Sequence, residues 1–442
     1  MTRWISFIES KLLFNFIVFY KYWELKTVSA YSEEKLALWQ RKKIKKLVKA
    51  AVKHKLYRDK FEAAGIDPSK ITTPEDFERI PCLTKDEYRN MVNDALDHDT
   101  KGIYKYWHKD HTSGSTGMPL HTCLSPVEYA TVVAQLLFIL QKNGYRLFLD
   151  SSLDMTSPVH KGTRQAKSFL QKFGMLRKTY VSAMDAPEDV IAVINREKPT
   201  EIVAGKSNLN TVLRYADEHQ LSLYPAKYIV NTAEAMDEAS YAFIEKFFGK
   251  EALIDSYASI EAGILAYTMR QDRHKFHLLP AHYLYRILDE NGVDGDNGML
   301  YVTRLYQRAF PMINYRQGDA VESFVDNEDG RRYLSVIRGR ADDYIFTRDG
   351  KRFSFHHLFA FLPKSREVDQ YRVIQEDYET LRLVLVQNTH SNRSMQELEQ
   401  EFSQELNRYL TGAHMDYIFE WVDQIPMDPN GKIRAIISKV KE

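Results

Sequence analysis

Apolar residues recur at helical spacing at the start of the chain and predict an N-terminal helix. The stripe consists of Ile5, Ile8, Leu12, Phe16, Phe19 and Trp23. We expect this stripe to pack on the protein itself, with contact to a membrane or a partner as alternatives. The apolar run 12–20 falls far short of the roughly 20 residues that cross a bilayer, so no transmembrane segment is predicted. Val28-Ser29-Ala30 imitates a signal-peptide cleavage site, but Lys21, Glu24 and Lys26 make the approach to it unusually charged.

A second helix is predicted over 33–64, again from the spacing of apolar residues. Its buried stripe consists of Ile44, Leu47, Val48, Ala51 and Val52. The basic run 41–46 is expected to be the solvated face of this helix. A docking patch for a phosphate-rich cofactor or an acidic carrier protein is the alternative.

Short strand candidates alternate with helical stretches from residue 126 onward. The strands are predicted at 146–149, 178–183, 201–204, 227–231 and 252–257. This alternation predicts a mostly parallel sheet with helices on its faces, and ligands in such sheets bind beyond the carboxyl ends of the strands. Asp185 with Glu188 resembles a capping box, and Asp237 can cap the next helix. Glycines at 144, 174 and 249 stand where helices should end.

The remainder of the chain is richer in strands and turns. Hairpin turns at 289–292 and 294–298 separate strands predicted at 283–288 and 299–304. After Gly339-Arg340 a shorter unit follows, with strands near 371–375, 381–387 and 417–422 and a helix over 395–410.

These patterns together predict an α/β fold with two domains. A large N-terminal domain, 1–339, should contain a helical preamble over 1–100, a mostly parallel sheet and a β-rich subdomain. A small, mobile C-terminal α/β domain, 340–442, should follow on a hinge.

Composition narrows the function classes. The chain has 442 residues, 61 basic and 60 acidic, and a formal net charge of +1. This balance gives no global electrostatic reason to expect nucleic acid. The two cysteines, Cys82 and Cys123, suit a reducing compartment and cannot build a metal site alone, so a cytoplasmic protein is expected.

The stretch 111–119, His-Thr-Ser-Gly-Ser-Thr-Gly-Met-Pro, has the residue types of a phosphate-binding loop. Its two glycines let the backbone approach a ligand without a Cβ clash. Its hydroxyls and successive backbone amides can bind an anion. A plain turn is the alternative when this stretch is taken alone.

Four further motifs follow in order along the chain. They are Tyr257-Ala258-Ser259-Ile260-Glu261-Ala262-Gly263, Tyr315-Arg316-Gln317-Gly318-Asp319, Gly339-Arg340-Ala341-Asp342-Asp343 and Pro429-Asn430-Gly431-Lys432-Ile433-Arg434. The first places an aromatic ring and a carboxylate at the end of a strand, and the second offers a carboxylate that can accept from both ribose hydroxyls. The third places a guanidinium at the predicted domain junction, and the fourth presents a lysine on a glycine turn. Each of them alone is also compatible with an ion pair, a turn or a surface lysine.

In this order, from about 111 to 434, the motifs resemble the adenylate-forming superfamily of acyl-CoA synthetases, peptide-synthetase adenylation domains and luciferases. Chain length and three further stretches resemble the phenylacetate–CoA ligases and the related capsule-biosynthesis adenylating proteins. Those stretches are Leu56-Tyr57-Arg58, Ile80-Pro81-Cys82-Leu83-Thr84-Lys85 and Asn231-Thr232-Ala233-Glu234.

The resemblance implies a role for each matching residue. The ATP-binding residues would be Ser113, Gly114, Ser115, Thr116, Gly117, Ala233, Glu234, Tyr257, Asp319 and Arg340. In that set the loop would hold the phosphates, Tyr257 would stack on adenine and Asp319 would fix the ribose. The catalytic residues would be Lys432, which reaches the α-phosphate and carboxylate, Glu261, which binds Mg²⁺, and Arg340. Asp342 would be the hinge of the small domain.

Three positions depart from the family's usual pattern. Ala258 and Ile260 replace a glycine and a threonine, and Gln317 replaces a threonine. Losing a hydrogen bond to a charged group costs about 1.5–3 kcal/mol, so adenylation should be slower without being abolished.

The resulting hypothesis is an AMP-forming acid–thiol ligase that uses ATP and Mg²⁺ to convert a carboxylic acid into an acyl-AMP. An aryl or arylalkanoic acid is the favoured substrate, and CoA is the favoured acceptor and co-substrate. A carrier-protein thiol or an amine are alternative acceptors, and a non-catalytic adenylate-binding protein is a further alternative. The sequence leaves the oligomeric state open, a homodimer included.

Overall fold

The chain was analysed as a computed structural model, in which contacts divide it into two compact units. One unit comprises residues 1–147 and 256–337, and the other comprises 148–255 and 338–442. The structure describes residues 2–111, 120–156, 177–232, 234–289, 291–340, 344–354, 361–362, 365, 367–389, 391–410, 414–427, 433 and 435–440. The predicted domain division after 339 and the mobility of the small domain stay predictions.

The first unit begins with helices that cover one side of its core. They are α1 (Thr2–Val28), α2 (Glu33–Ala51), α3 (Lys55–Ala63), α4 (Lys85–Asp97) and α5 (Pro126–Lys142), with 3-10 turns at Pro68–Lys70 and Glu75–Arg79. Capping boxes of Thr84 with Glu87 and of Ser125 with Glu128 start α4 and α5. Among the described residues, no helix combines the length and apolar character that a membrane crossing needs.

The helix predicted over 33–64 is in fact two helices. His54 has an extended backbone and serves as the N-cap residue of α3. The Arg58 guanidinium donates to the carbonyls of Val52 and Lys53, at 3.0 and 2.8 Å, and so satisfies carbonyls at the end of α2. The break therefore has a local cause that apolar spacing does not reveal.

Helix α1 packs on its own protein, as expected, but with a different face. The buried residues are Val18, Tyr22, Leu25 and Val28. The ring of Phe14 stacks on Tyr129 of α5. The predicted stripe was wrong, because Leu12, Phe16 and Trp23 are exposed. Apolar residues lie on both sides of this helix, so spacing alone could not identify the buried side.

Antiparallel strands form the β-rich part of the first unit. They are β1 (His108–His111) with β2 (His121–Leu124), and β7 (Leu253–Ser259), β8 (Gly263–Met269), β9 (Asp272–Leu278), β10 (Tyr283–Leu288), β11 (Asn297–Arg304), β12 (Tyr315–Val325) and β13 (Arg332–Arg340). The second set has the order β10-β11-β12-β13-β9-β8-β7. The predicted hairpin of β10 and β11 is confirmed, with Tyr283 opposite Arg304. The boundary between the units runs through β7 and β13.

Parallel strands alternate with helices in the first segment of the second unit. They are β3 (Ser151–Thr156), β4 (Arg177–Ser182), α6 (Pro187–Glu197), β5 (Glu201–Ala204), α7 (Lys206–Glu218), β6 (Tyr228–Thr232) and α8 (Glu238–Phe248). The strand order β6-β5-β3-β4 is parallel at each described pairing, as the sequence predicted.

Two local predictions in this region were wrong. No strand forms at 146–149, because Phe148 and Leu149 are exposed and the strand begins only at Ser151. Asp185 makes no capping box, because its carboxylate accepts from the backbone N–H of Ser182 while α6 starts at Pro187. Asp237 does cap α8, accepting from the Ser240 N–H at 2.8 Å.

The C-terminal segment of the second unit has its own small α/β core. Its elements are β14 (Tyr344–Phe346), β15 (Arg352–Ser354), β16 (Val368–Gln375), β17 (Thr380–Gln387), α9 (Met395–Tyr409), β18 (Asp416–Trp421) and β19 (Ile436–Ser438). Leu398, Phe402 and Leu406 of α9 pack against the sheet β18-β17-β16-β19. The α/β fold class predicted from the sequence is thus confirmed.

Candidate functional site

The tight turn between β7 and β8 carries Glu261, the predicted metal-binding carboxylate. The Ser259 hydroxyl accepts from the Ala262 N–H at 3.0 Å, which closes the turn. Gly263 leaves it with a φ of +78°, and a Cβ there would lie 3.1 Å from the Tyr283 hydroxyl. Glycine is therefore required for both the backbone conformation and the close approach of the tyrosine.

Two buried side chains hold consecutive carbonyls of this turn. Arg304 donates from Nη1 to the Glu261 carbonyl at 2.6 Å, and the Tyr283 hydroxyl donates to the Ala262 carbonyl at 2.8 Å. Arg304 is only 1% exposed and also donates to the Tyr306 hydroxyl from Nε at 3.2 Å and from Nη2 at 2.5 Å. The buried guanidinium of Arg304 is thus hydrogen-bonded to a carbonyl and to a tyrosine hydroxyl, which are both neutral. These bonds fix the backbone of the turn.

The Glu261 carboxylate itself is 7% exposed and is oriented by a tyrosine. The Tyr315 hydroxyl donates to Glu261 Oε1 at 3.1 Å. The Tyr315 ring packs edge-on against Tyr88, whose hydroxyl accepts from the Gln307 amide at 2.9 Å. Burial raises the pKa of Tyr88 to about 12, so its hydroxyl stays protonated. The carboxylate is therefore preorganised by fully buried neighbours.

Two other predicted residues, Tyr257 and Asp319, meet directly although they lie 62 positions apart. The Tyr257 hydroxyl donates to Asp319 Oδ2 at 2.5 Å. Burial, together with the negative charge of Asp319, raises the pKa of Tyr257 well above its usual value, which keeps the hydroxyl a donor. An ionised carboxylate offers about four lone-pair sites, so a carboxylate can accept from more than one donor at a time.

The positions that depart from the family pattern differ in their surroundings. Ile260 is 41% exposed beside Glu261, and the pairing of β7 with β8 shifts register between Tyr257 and Ala258. Gln317 has a buried amide oxygen with no hydrogen-bond partner among the described residues. This amide is the kind of polar group that a ligand or a water could satisfy.

Glu234, predicted on the base or substrate side, is engaged within the second unit. Its Oε2 accepts from the backbone N–H and the hydroxyl of Ser207, at 2.8 and 2.6 Å, at the start of α7. Gly205 allows this, because a Cβ there would lie 3.3 Å from Glu234 Oε1. The Asn231 side-chain amide donates to the Glu234 carbonyl at 2.7 Å and to the Asp255 carboxylate at 2.8 Å. No motif in the sequence indicates that this carboxylate lies at the start of a helix.

Several predicted site residues lie outside the described residues, and their roles stay predictions. They are Ser113, Gly114, Ser115, Thr116, Gly117, Ala233, Asp342 and Lys432. The backbone of Arg340 ends β13, while its side chain is outside the described parts of the chain.

Sequence reasoning missed the side chains that support Glu261. The turn and its carboxylate are held by Tyr283, Arg304 and Tyr315, which lie 21, 43 and 54 positions further along the chain, and Tyr306 accepts from Arg304. One signal was available: Arg304 stands between Val302 and Leu305 in an apolar strand, and buried arginines almost always have partners.

Comparison with known proteins shows what this chain is similar to. Residues 345–439 match the CapK C-terminal domain. Protein CapK of Staphylococcus aureus is 22% identical over 402 residues, which cover 87% of this chain and 85% of that protein. The phenylacetate-coenzyme A ligase of Aromatoleum evansii is 26% identical over 344 residues, with 74% and 75% covered. The chain is thus similar in sequence to a CapK protein and to a phenylacetate-coenzyme A ligase along most of its length.

The fold of a solved acyl-CoA ligase extends along most of this chain. A 2-hydroxyisobutyryl-CoA ligase, crystallised in the postadenylation state with an acyl-AMP, superimposes with a TM-score of 0.73 at 19% identity. The match covers 90% of this chain and 89% of that chain. These likenesses support the resemblance to adenylate-forming enzymes, and to the CapK and phenylacetate–CoA ligase group, that the sequence motifs predicted.

Proposed function

We propose that this chain uses ATP to activate a carboxylic acid as an acyl-AMP and then transfers the acyl group to a thiol, with CoA favoured. The observation that carries the proposal is the hydrogen bond from Tyr257 to Asp319 in the same unit as the rigidly held Glu261. These are the residue types that adenylate-forming enzymes place around adenine, ribose and metal, in the expected order along the chain.

In the first step a carboxylate oxygen attacks the α-phosphorus of ATP, and the bond to the leaving pyrophosphate breaks. Tyr257 offers an aromatic face for adenine, and the Asp319 carboxylate is a group that can accept from ribose hydroxyls. This chemistry needs alignment and charge neutralisation more than covalent help. In the second step the thiol sulfur attacks the acyl carbon, and AMP leaves.

Glu261 fits a Mg²⁺ ion that is shared with the substrate. Mg²⁺ is usually held by one or two carboxylates together with substrate phosphates and waters, rather than by an all-protein cage. Bound there, the ion would offset the repulsion between the incoming carboxylate and the triphosphate. Arg304 and Tyr283 would contribute by fixing the turn from which Glu261 reaches it.

The acid is proposed to be aryl or arylalkanoic, because two similar proteins are phenylacetate-coenzyme A ligases. The same likeness favours CoA over a carrier-protein thiol or an amine. Lys432 is proposed to act in adenylation, Asp342 as the hinge, and Arg340 at the ribose or phosphate. The loop residues 113–117 are proposed to hold the ATP phosphates.

Acid-dependent ATP–pyrophosphate exchange over a panel of aryl, arylalkanoic and short aliphatic acids tests the proposal. We expect exchange with one class of acid, followed by release of AMP when CoA is added. Glu261→Gln should lower exchange about 100-fold, the usual cost of removing one preorganised electrostatic group. Glu328→Gln, the same change at an exposed position, serves as the matched control.

Two results would contradict the proposal. ATP binding without exchange for any acid would favour the non-catalytic adenylate-binding protein. Exchange that is unchanged in Glu261→Gln would remove Glu261 from the metal site. Exchange with no CoA-dependent AMP release, but with release on addition of an amine or a carrier protein, would replace only the acceptor.

A further inference from the structure

Helix α1 is apolar on two sides, and one of them is uncovered. While Val18, Tyr22 and Leu25 are buried in the first unit, a second set of apolar residues faces outward at helical spacing. This set, which we call the aromatic face, consists of Leu12, Leu13, Phe16, Tyr20 and Trp23. A helix that is apolar on all sides is ordinarily buried, so the exposed side of α1 is expected to contact another molecule.

The aromatic face is large for a single helix. The exposed fraction is 62% for Leu13, 69% for Phe16, 66% for Tyr20 and 58% for Trp23. With full surfaces of about 150–250 Å² for aromatic side chains, the face presents roughly 500 Å² of mostly apolar surface. Patches of that size on single chains are often functional. They are also smaller than the roughly 800 Å² per partner that stable protein interfaces bury.

Basic residues outnumber acidic ones around the aromatic face. Between residues 12 and 30 the one acidic residue is Glu24, and its half-buried carboxylate pairs with Lys21 at 2.6 Å and Lys43 at 3.1 Å. Lys26 is exposed, and its ammonium lies 4.8 Å from the centre of the Trp23 ring. The face is thus bordered by a cation with its stem along an aromatic ring, as at a membrane interface.

The neighbouring helix α2 extends this positive charge. The ion pair of Lys43 with Glu24 joins α2 to α1. Residues 33–58 contain ten lysines and arginines against two acidic residues, Glu33 and Glu34. The members of the run that are exposed on α2 are Arg41, Lys42, Lys45, Lys46 and Lys49. Such a cluster beside an apolar helix face suits an anionic surface, each cation near it adding about fivefold to binding.

We propose that α1 binds the surface of an anionic lipid membrane, lying in its plane with the aromatic face among the headgroups. Aromatic residues favour this interfacial depth, and the cations of α1 and α2 meet lipid phosphates. A second copy of the chain suits the face less well, because its area is small for a dimer and pairing would bring like charges together. The inference is independent of the proposed adenylation.

Flotation with vesicles tests the proposal on the full chain. We expect the protein to float with vesicles of phosphatidylcholine and phosphatidylglycerol in equal amounts, at least about tenfold better than with phosphatidylcholine alone. Binding should weaken as salt is raised. The double variant Phe16→Ser with Trp23→Ser should lose at least about tenfold in binding, since it removes two apolar anchors. The matched control is Ile103→Ser with Tyr106→Ser, at positions that are 55% and 82% exposed elsewhere in the first unit.

A second measurement keeps the test valid if the double variant fails to fold. Cys82→Ser with Tyr20→Cys places a polarity-sensitive dye on the aromatic face, since Cys123 is buried and Cys82 is exposed. Its emission should shift to the blue with anionic vesicles, whereas a dye at Tyr106→Cys in the same background should not respond. The absence of vesicle binding and of the dye shift overturns the proposal. A concentration-dependent dimer that the Phe16 and Trp23 changes dissociate would assign the face to a second copy instead.

Discussion

Replacing Arg304 by methionine isolates the support beneath Glu261. The change keeps a long apolar side chain but removes the guanidinium that donates to the Glu261 carbonyl at 2.6 Å. An unsatisfied buried carbonyl costs about 1–3 kcal/mol. The Tyr306 hydroxyl loses the same cation but keeps the Tyr283 hydroxyl at 3.2 Å, so the carbonyl dominates the cost. We expect a loss of about 2 kcal/mol of folding free energy, which lowers the unfolding midpoint of a unit of this size by about 4–8 °C.

The same change should also act on chemistry through the position of Glu261. If the turn loosens, ATP–pyrophosphate exchange should fall about tenfold, which corresponds to about 1.4 kcal/mol of transition-state stabilisation. In a Glu261→Gln background the further change Arg304→Met should then have little effect on exchange, because both act on one carboxylate. Arg331→Met, at an exposed arginine, is the matched control. Fully additive effects on exchange, or a lowered midpoint with unchanged exchange, would refute the reasoning and leave Arg304 a purely structural residue.

Three further predictions concern buried or strained positions. Burial raises the pKa of Glu201 to about 7 from 4.5, so the folded state holds an extra proton and loses stability as pH rises across that window. Glu201→Gln should remove up to about 3 kcal/mol of this loss. An unchanged dependence of the unfolding free energy on pH, measured by urea unfolding, would count against this assignment. Burial lowers the pKa of His282 to about 3 from 6.5, so the unfolded state binds the extra proton and stability falls as pH drops through that range. His282→Phe should flatten this fall, and the exposed His274→Phe should not; equal slopes in both variants would contradict the assignment. Gly263→Ala should cost about 1–3 kcal/mol of folding free energy and lower ATP–pyrophosphate exchange, because the φ of residue 263 is +78° and the new Cβ would meet the Tyr283 hydroxyl. A wild-type unfolding midpoint would show that the turn can adjust.

The sequence predicted those strands whose ends are marked by charged residues or turns. The strand at 201–204 and the hairpin strand at 283–288 were predicted to the residue, because charged residues and turns flank them. The segment 146–149 failed for the opposite reason: Phe148 and Leu149 are apolar but lie at the surface, and apolar content does not report exposure.

The sequence indicated the side chains that are proposed to bind ATP and metal, but not the residues that support them. Tyr257, Glu261 and Asp319 belong to recognisable motifs, and the structure joins the first and the last by a hydrogen bond. Arg304 donates to a backbone carbonyl 43 positions away. Every residue has a backbone carbonyl, so the sequence does not indicate which one a buried arginine contacts. Glu234 belonged to a motif too, yet its contact with Ser207 depends on how two strand ends meet, which only the folded chain reveals.

The helices at the start of the chain are completed by residues that are synthesised much later. Ile44, Leu47 and Phe61 share a core cluster with Leu305 and Ile313, and the Tyr57 hydroxyl donates to the Pro311 carbonyl, 254 positions onward, at 2.7 Å. At translation rates of about 5–20 residues per second, that separation corresponds to roughly 13–50 s. During this interval the apolar faces of α2 and α3 have emerged without their permanent cover. Nascent chains of this protein should therefore be substrates for ribosome-associated chaperones until the segment around residue 313 leaves the exit tunnel.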